Sequence, residues 1–276
     1  MLVQCKGGSM LQSANELKRK VIHATDGELG TVDQFLFDDK SWTIRYLVVE
    51  TSKLLGRKVL ISPISIDRKH KTDGLTLSLT NEQIRHSPGI DTDKPVSRQH
   101  ETEYFNYYGY PYYWSGPGLW GGTAYPIGHP SRAQMQGYPD RTSGYTGTAA
   151  AARHEVPKEE GDPHLRSTNE VIGYYIEATD GNIGHVEDLL IEDETWAIRY
   201  VVVDTVNWWP GKKVVLSPQW IRDVSWMDSR VYVNVSRDRV KNAPEYDPAS
   251  IMDRDYENRL YEHYGSPRYW DENYMI

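Results

Sequence analysis

The sequence predicts a mainly β chain: two small antiparallel β-barrels, each followed by short helices and related by internal duplication. Three observations carry this. The stretch at 24–46, ATDGELGTVDQFLFDDKSWTIRY, returns at 178–200 as ATDGNIGHVEDLLIEDETWAIRY. In both copies the apolar residues fall in short β-rich runs bounded by Gly, Pro and Asp, as strands of a small sheet require. After those runs, both copies turn to helical spacing and close on Gly-x-Pro-x-Tyr-Trp.

Each copy opens alike, with Leu11, Ser13, Asn15, Glu16 and Leu17 matched by Leu165, Ser167, Asn169, Glu170 and Val171. The offset is 154 residues between Asp26 and Asp180, 155 between Pro63 and Pro218, and 156 between Trp114 and Trp270. The two added residues fall near Pro210 and between Ile66 and Leu75, where loops are expected. Asp26-Gly27 and Asp180-Gly181 mark tight turns. Gly30 and Gly184 mark a bulge or a close backbone approach. Val32, Phe35 and Phe37, then Ile44, Tyr46 and Val48, form β runs echoed by Val186, Leu189, Ile191, Ile198, Tyr200 and Val202. The uninterrupted YLVVE and YVVVD read as the most buried strands. Lys58–Ser62 and Lys213–Ser217 follow, stopped by Pro63 and Pro218. Leu75, Leu77 and Leu79 alternate as a last strand, as do Val231, Val233 and Val235.

Thr80 and Ser236 are expected to cap short helices that stop before Pro88 and Pro244. A longer helix follows, with Pro248 in its first turn and Met252, Tyr256, Leu260 and Tyr264 as its apolar stripe. Val96, His100, Tyr104 and Tyr108 take the same slots in the first copy, and Gly109 and Gly265 end the helices. Their aromatic tails are expected to pack on a barrel, in cis or exchanged. The domains are therefore 11–114, a linker at 115–166 rich in Gly, Pro and Tyr and expected to be disordered, and 167–276.

Composition excludes several functions. A net charge of −8 with no basic run argues against nucleic-acid binding, which rests on clustered Lys and Arg. Cys5 is the single cysteine, so neither an internal disulfide nor a cysteine metal site is expected. Residues 1–12 lack the apolar core of a signal peptide, and nothing approaches the roughly 20 apolar residues of a membrane span. A soluble, cytoplasmic protein is the expectation.

The DGxxG turn, the WxIRY[LV]VV[ED] strand and the following SP step together resemble the PRC-barrel family. That module occurs in the cytoplasmic part of the photosynthetic reaction centre H subunit and in the C-terminal half of the 16S rRNA-processing factor. The resemblance covers Asn15 to about Leu79 and Asn169 to about Val235. It implies a barrel that docks on other proteins, and it brings no catalytic residues. No membrane helix matches the H subunit, and no companion domain matches the processing factor.

No constellation of catalytic residues, cofactor ligands or metal ligands stands out. Asp26, Asp180, Asp38, Asp39, Glu192, Asp193 and Glu194 suit turns better than a hard-cation site, which needs six or more oxygens from a tightly spaced run. Arg45 and Arg199, in buried-looking strands, are expected to pair with a neighbouring acid, Glu50 and Asp204, or to snorkel to the barrel rim, with holding an anionic ligand as the lesser alternative. The histidines share no repeated partners, and no GxSxG elbow or GxxxxGK[ST] loop exists. The candidate partner-binding residues are Trp208, Trp209, Lys212 and Lys213, with Leu54 and Leu55 as the milder first-copy version. Adjacent tryptophans beside lysines suit a partner surface or a membrane interface, or a plug in the open end of a barrel, and these readings stay open. The functional expectation is a non-enzymatic protein-binding or adaptor module. The alternatives are a peripheral subunit capping a membrane electron-transfer complex, or a small-molecule-binding enzyme using the carboxylate turns. The protein partner is unspecified, no nucleic acid is expected, and homodimerisation is left open.

Overall fold

The computed structural model describes residues 3–4, 10–51, 57–68, 74–89, 96–127, 164–205, 212–250 and 252–271. The protein is mainly β, with two sheets. The first half contributes β1 (Val3–Gln4), β2 (Met10–Ser13), α1 (Ala14–Leu17), β3 (Val21–Ala24), β4 (Gly27–Asp38), β5 (Thr43–Thr51), β6 (Lys58–Ile61), β7 (Leu75–Thr76), α2 (Asn81–Arg85) and α3 (Arg98–Tyr108). The second contributes β8 (Leu165–Ser167), α4 (Thr168–Val171), β9 (Tyr175–Ala178), β10 (Gly181–Glu192), β11 (Ile198–Asp204), β12 (Lys213–Leu216), β13 (Ile221–Ser225), β14 (Arg230–Val233), α5 (Arg237–Lys241) and α6 (Arg254–Tyr264).

One sheet runs β6-β5-β4-β3-β7 and the other carries β12-β11-β10-β9-β14-β13. The strands between Asp26 and Ser62 lie where the sequence places them. Gly30 is irreplaceable on steric grounds: its φ is +155°, and a Cβ there would lie 2.0 Å from the Glu50 carbonyl oxygen. Gly184 meets Asp204 in the same way.

The first strands are exchanged between halves. β2 pairs with β10, aligning Leu190 with Ser13 and Glu192 with Leu11, and β8 pairs with β4, aligning Leu36 with Ser167 and Asp38 with Leu165. α1 rides on β10 and α4 on β4. The turns after β4 and β10 add reciprocal bonds: Ile44 N–H donates to the Trp196 carbonyl at 2.9 Å and Ile198 N–H to the Trp42 carbonyl at 2.7 Å. One contiguous apolar core results, from Leu11, Leu17, Phe35 and Tyr46 in the first half to Tyr200, Leu260 and Tyr261 in the second.

Four expectations change. Neither sheet closes into a barrel among the described residues. In the first half, the last strand shrinks to two residues, with a single further bridge from Ile66 to Leu77. At the end of β6 the Ser62 N–H donates to Tyr104 Oη, so a helix side chain stands where a closing strand would be. The long second-half helix starts not at Pro248 but after Asp253, whose carboxylate caps the Tyr256 N–H. The stretch 115–166 is not uniformly linker: Trp120 is buried, and 165–167 form β8. Thr80, Ser236, Gly109 and Gly265 cap as expected, Thr80 in a capping box with Gln83.

Candidate functional site

Both helices and their tails pack in cis, and each drives one glutamate to zero exposure. Glu101 Oε1 accepts from Tyr46 Oη and Tyr113 Oη, both at 2.8 Å, while Oε2 meets Arg98 Nη1 at 2.9 Å. Glu257 repeats this with Tyr200 at 2.7 Å, Tyr269 at 3.0 Å and Arg254 at 2.9 Å. A buried carboxylate is tolerable only when paired and hydrogen-bonded, and here both conditions hold twice. Burial, with the facing Glu101, pushes the Tyr46 hydroxyl well above its usual range; burial, with Tyr261 and Glu257 nearby, does the same to Tyr200. Arg45 stacks 4.0 Å from the Tyr113 ring and Arg98 4.2 Å from Trp114. Arg199 over Tyr269 at 4.1 Å and Arg254 over Trp270 at 4.0 Å complete the second set. These glutamates were missed in the sequence, although Arg98-x-x-Glu101 and Arg254-x-x-Glu257 recur at the same offset as the flanking stripes.

Arg45 and Arg199 do not pair with Glu50 and Asp204. Arg45 meets Asp38 at 3.5 Å and bonds Ser41 Oγ and the Leu119 carbonyl; Arg199 meets Glu192 at 2.6 Å. Both acids lie at the end of the neighbouring strand, β4 or β10, beside the register shift at which Arg45 or Arg199 stands. The turn carboxylates are likewise engaged: Asp26 accepts from the Asn81 N–H and side-chain amide, and Asp180 from the Arg237 N–H, tying each turn to α2 or α5. Asp39 pairs with His164 and Arg166, and Asp193 accepts from the Met10 N–H. Among the described residues, no three His, Cys, Asp or Glu side chains stand where they could share a metal ion.

Of the partner-binding candidates, Leu54, Leu55, Trp208 and Trp209 lie outside the described residues. Lys212 and Lys213 are described, and both are held. Lys212 Nζ donates to the Lys241 carbonyl at 2.5 Å and the Ala243 carbonyl at 2.8 Å, and burial lowers its pKa. Thr205 Oγ1 donates to the Lys212 carbonyl at 2.5 Å, and Lys213 pairs with Glu187. The base of the 206–211 loop is thus clamped shut and anchored to α5. The 52–56 loop has the same base: Thr51 Oγ1 donates to the Arg57 carbonyl, and Arg57 Nη2 reaches the Ile84 and Arg85 carbonyls.

No protein-family model matches the chain, and no curated protein matches it. Among the described residues, no helix is long and apolar enough to cross a membrane.

Among the described residues, two clefts lie on the seam between halves. The larger, about 270 Å³, lies between the exchanged first segment and the second sheet, and is lined by Asn15, Arg19, Asp188, Lys213, Tyr246 and Met252 among others. Asp188 accepts there from Ser13 Oγ and from the Asn15 and Leu189 N–H groups, and burial raises its pKa. Its first-half counterpart is Gln34, which accepts the same bond from Ser167. The smaller, about 170 Å³, is lined by Lys40, Ser41, Trp42, Arg199, Pro218 and Tyr269 among others.

Proposed function

We propose that the protein is a non-enzymatic protein-binding module of two PRC-like units related by internal duplication, with the 206–211 loop as its principal contact. The observation that carries this reading is the clamped loop base. A segment whose ends are bonded together and pinned to α5 can be altered in sequence without disturbing the sheet beneath it. In the first half the same frame holds Leu54-Leu55, and in the second it holds Trp208-Trp209, the residue type most enriched at binding hot spots. The exchanged first segments support a platform role, since they tie the halves together on both sides. Of the carboxylates an enzyme reading would use, Asp26 and Asp180 join their turns to helices, and Asp38, Asp39, Glu192 and Asp193 bond Arg45, His164, Arg199 and the Met10 N–H.

The test is Trp208→Ala with Trp209→Ala. A contact surface predicts that recovery of the partner from the native host falls by about 2 kcal/mol or more, roughly 30-fold, with an unchanged urea midpoint. Unchanged recovery by the double variant refutes the loop as the contact. A stability loss of about 3 kcal/mol or more assigns the pair to the core instead.

A further inference from the structure

The smaller seam cleft has a filled counterpart in the same molecule. In the first half, Trp120 sits 5.0 Å from Arg45 and edge-on to Tyr113 with centroids 6.4 Å apart, and its Nε1–H donates to the Thr195 carbonyl at 2.7 Å. The residue before it, Leu119, gives its carbonyl to Arg45 Nη1. Repeat offsets carry Arg45, Tyr113 and Thr195 onto Arg199, Tyr269 and Ser41, and all three line the 170 Å³ cleft. Arg199 binds Glu192 through Nε and Nη2, and Thr195 through Nη2, so its Nη1 makes no counterpart of the Leu119 bond among the described residues. The position matching Trp120 holds isoleucine, Ile276, and not tryptophan.

We infer that this cleft is a docking site for a tryptophan side chain on an extended segment of a partner protein. The ring lies against Arg199 and Tyr269, its N–H donates to the Ser41 carbonyl, and the preceding carbonyl accepts from Arg199 Nη1. Arginine over an indole face is a favourable cation–π pairing, and Trp42 and Pro218 supply apolar walls. Lys40, exposed at the cleft, selects against basic flanking residues and favours acidic ones. This inference rests on the protein-binding reading for its class of partner but uses a different surface from the 206–211 loop.

The probe is a fluorescein-labelled peptide with the sequence of residues 116–122, Gly-Pro-Gly-Leu-Trp-Gly-Gly, titrated with the full chain and read by anisotropy. The expected result is saturable binding, weakened at least tenfold when the peptide tryptophan becomes alanine. Gln219→Trp, a change at an exposed cleft residue, fills the site and weakens binding at least tenfold at an unchanged melting temperature. The Trp208→Ala/Trp209→Ala protein binds the peptide as the parent does, so the two sites succeed or fail separately. The inference is overturned by equal binding of the two peptides, by no effect of Gln219→Trp, or by no saturation below about 1 mM. If a chain ending at Asp271 binds the peptide at least tenfold more tightly, the protein's own tail is the occupant, and the partner assignment falls.

Discussion

Leu17→Ala tests the exchange of first segments, because its damage should appear in the half to which Leu17 does not belong by sequence. Leu17 is 2% exposed and sits on α1, which lies against β10 with Ser13 and Asn15 bonded to Asp188. Truncating a buried leucine costs about 2–5 kcal/mol, depending on how far the cavity collapses. At about 2–4 °C per kcal/mol for a unit of this size, the melting temperature should fall by roughly 4–20 °C. The deciding assay is native-state hydrogen exchange resolved by segment. Protection should drop in β10 around Leu189–Glu192 and hold in β4 around Phe35–Asp38. Val171→Ala, at a position with no exposure on α4, should give the mirror image, loosening β4 and sparing β10. If Leu17→Ala loosens β4 and leaves β10 intact, each first segment packs on its own half and the exchange is wrong.

Glu257→Gln removes the carboxylate partner of Arg254 inside a closed set of rings, and should cost about 3–5 kcal/mol in urea unfolding, as breaking a buried pair does. Glu101→Gln should match it, and a loss under 1 kcal/mol for both would show that the sets are not structural. Asp188→Asn should stabilise the protein at neutral pH. The native pKa of Asp188 is raised by burial, so the native state holds its proton longer than the unfolded chain, and stability falls as pH climbs from the unfolded to the native value. The gain should therefore vanish below the unfolded pKa, and a variant less stable at pH 7 would refute this. Alkaline titration should be cooperative. Burial raises Tyr110, Tyr246 and Tyr261 to about 12 and holds Tyr46 and Tyr200 well above the usual tyrosine range, so above pH 10 the unfolded chain releases protons that the native state keeps, and stability drops. A step in tyrosinate absorbance should coincide with loss of near-ultraviolet circular dichroism, over and above the rise from exposed tyrosines such as Tyr107, Tyr125 and Tyr175, and ionisation of all the tyrosines before that loss would contradict the burial.

Local chemistry was legible in the sequence where one residue type has one physical use. Gly30 and Gly184, the caps at Thr80 and Ser236, and the buried YLVVE and YVVVD strands are of this kind. The partner of β2 was not legible, because a constant repeat offset gives identical patterns whether Leu11 packs on its own sheet or on the other. Glu101 and Glu257 were hidden because a glutamate on a helix ordinarily faces water, and only its spacing from the tyrosine stripe marks it as inward. Pro248 misled for a similar reason: it suits a first helical turn, but Asp253 offers the stronger cap, and the Asp247 side chain bonds the Ala249 N–H and Ser250 hydroxyl in a separate turn. The loop candidates were visible as composition alone, whereas the clamp beneath them depends on Thr205 and Lys212 meeting across the loop.

The reciprocal pairing of β2 with β10 and β8 with β4 also sets an order on biosynthesis. When the ribosome has released the first half, β4 has β3 and β5 beside it, but the stretch Leu36–Asp38 still waits for Leu165–Ser167. Meanwhile the nascent β2 and α1 carry Leu11, Ala14 and Leu17 with no β10 yet made to cover them. Neither half can finish alone, so the last folding step comes only after β10 emerges and joins segments more than 170 residues apart in sequence. Contacts of such long range slow folding, and in the interval the uncovered edge of β4 is open to a neighbouring nascent chain. Two chains on one polysome, each lending its first segment to the other, would satisfy the same ladders, making an intermolecular exchange the characteristic misassembly of this fold.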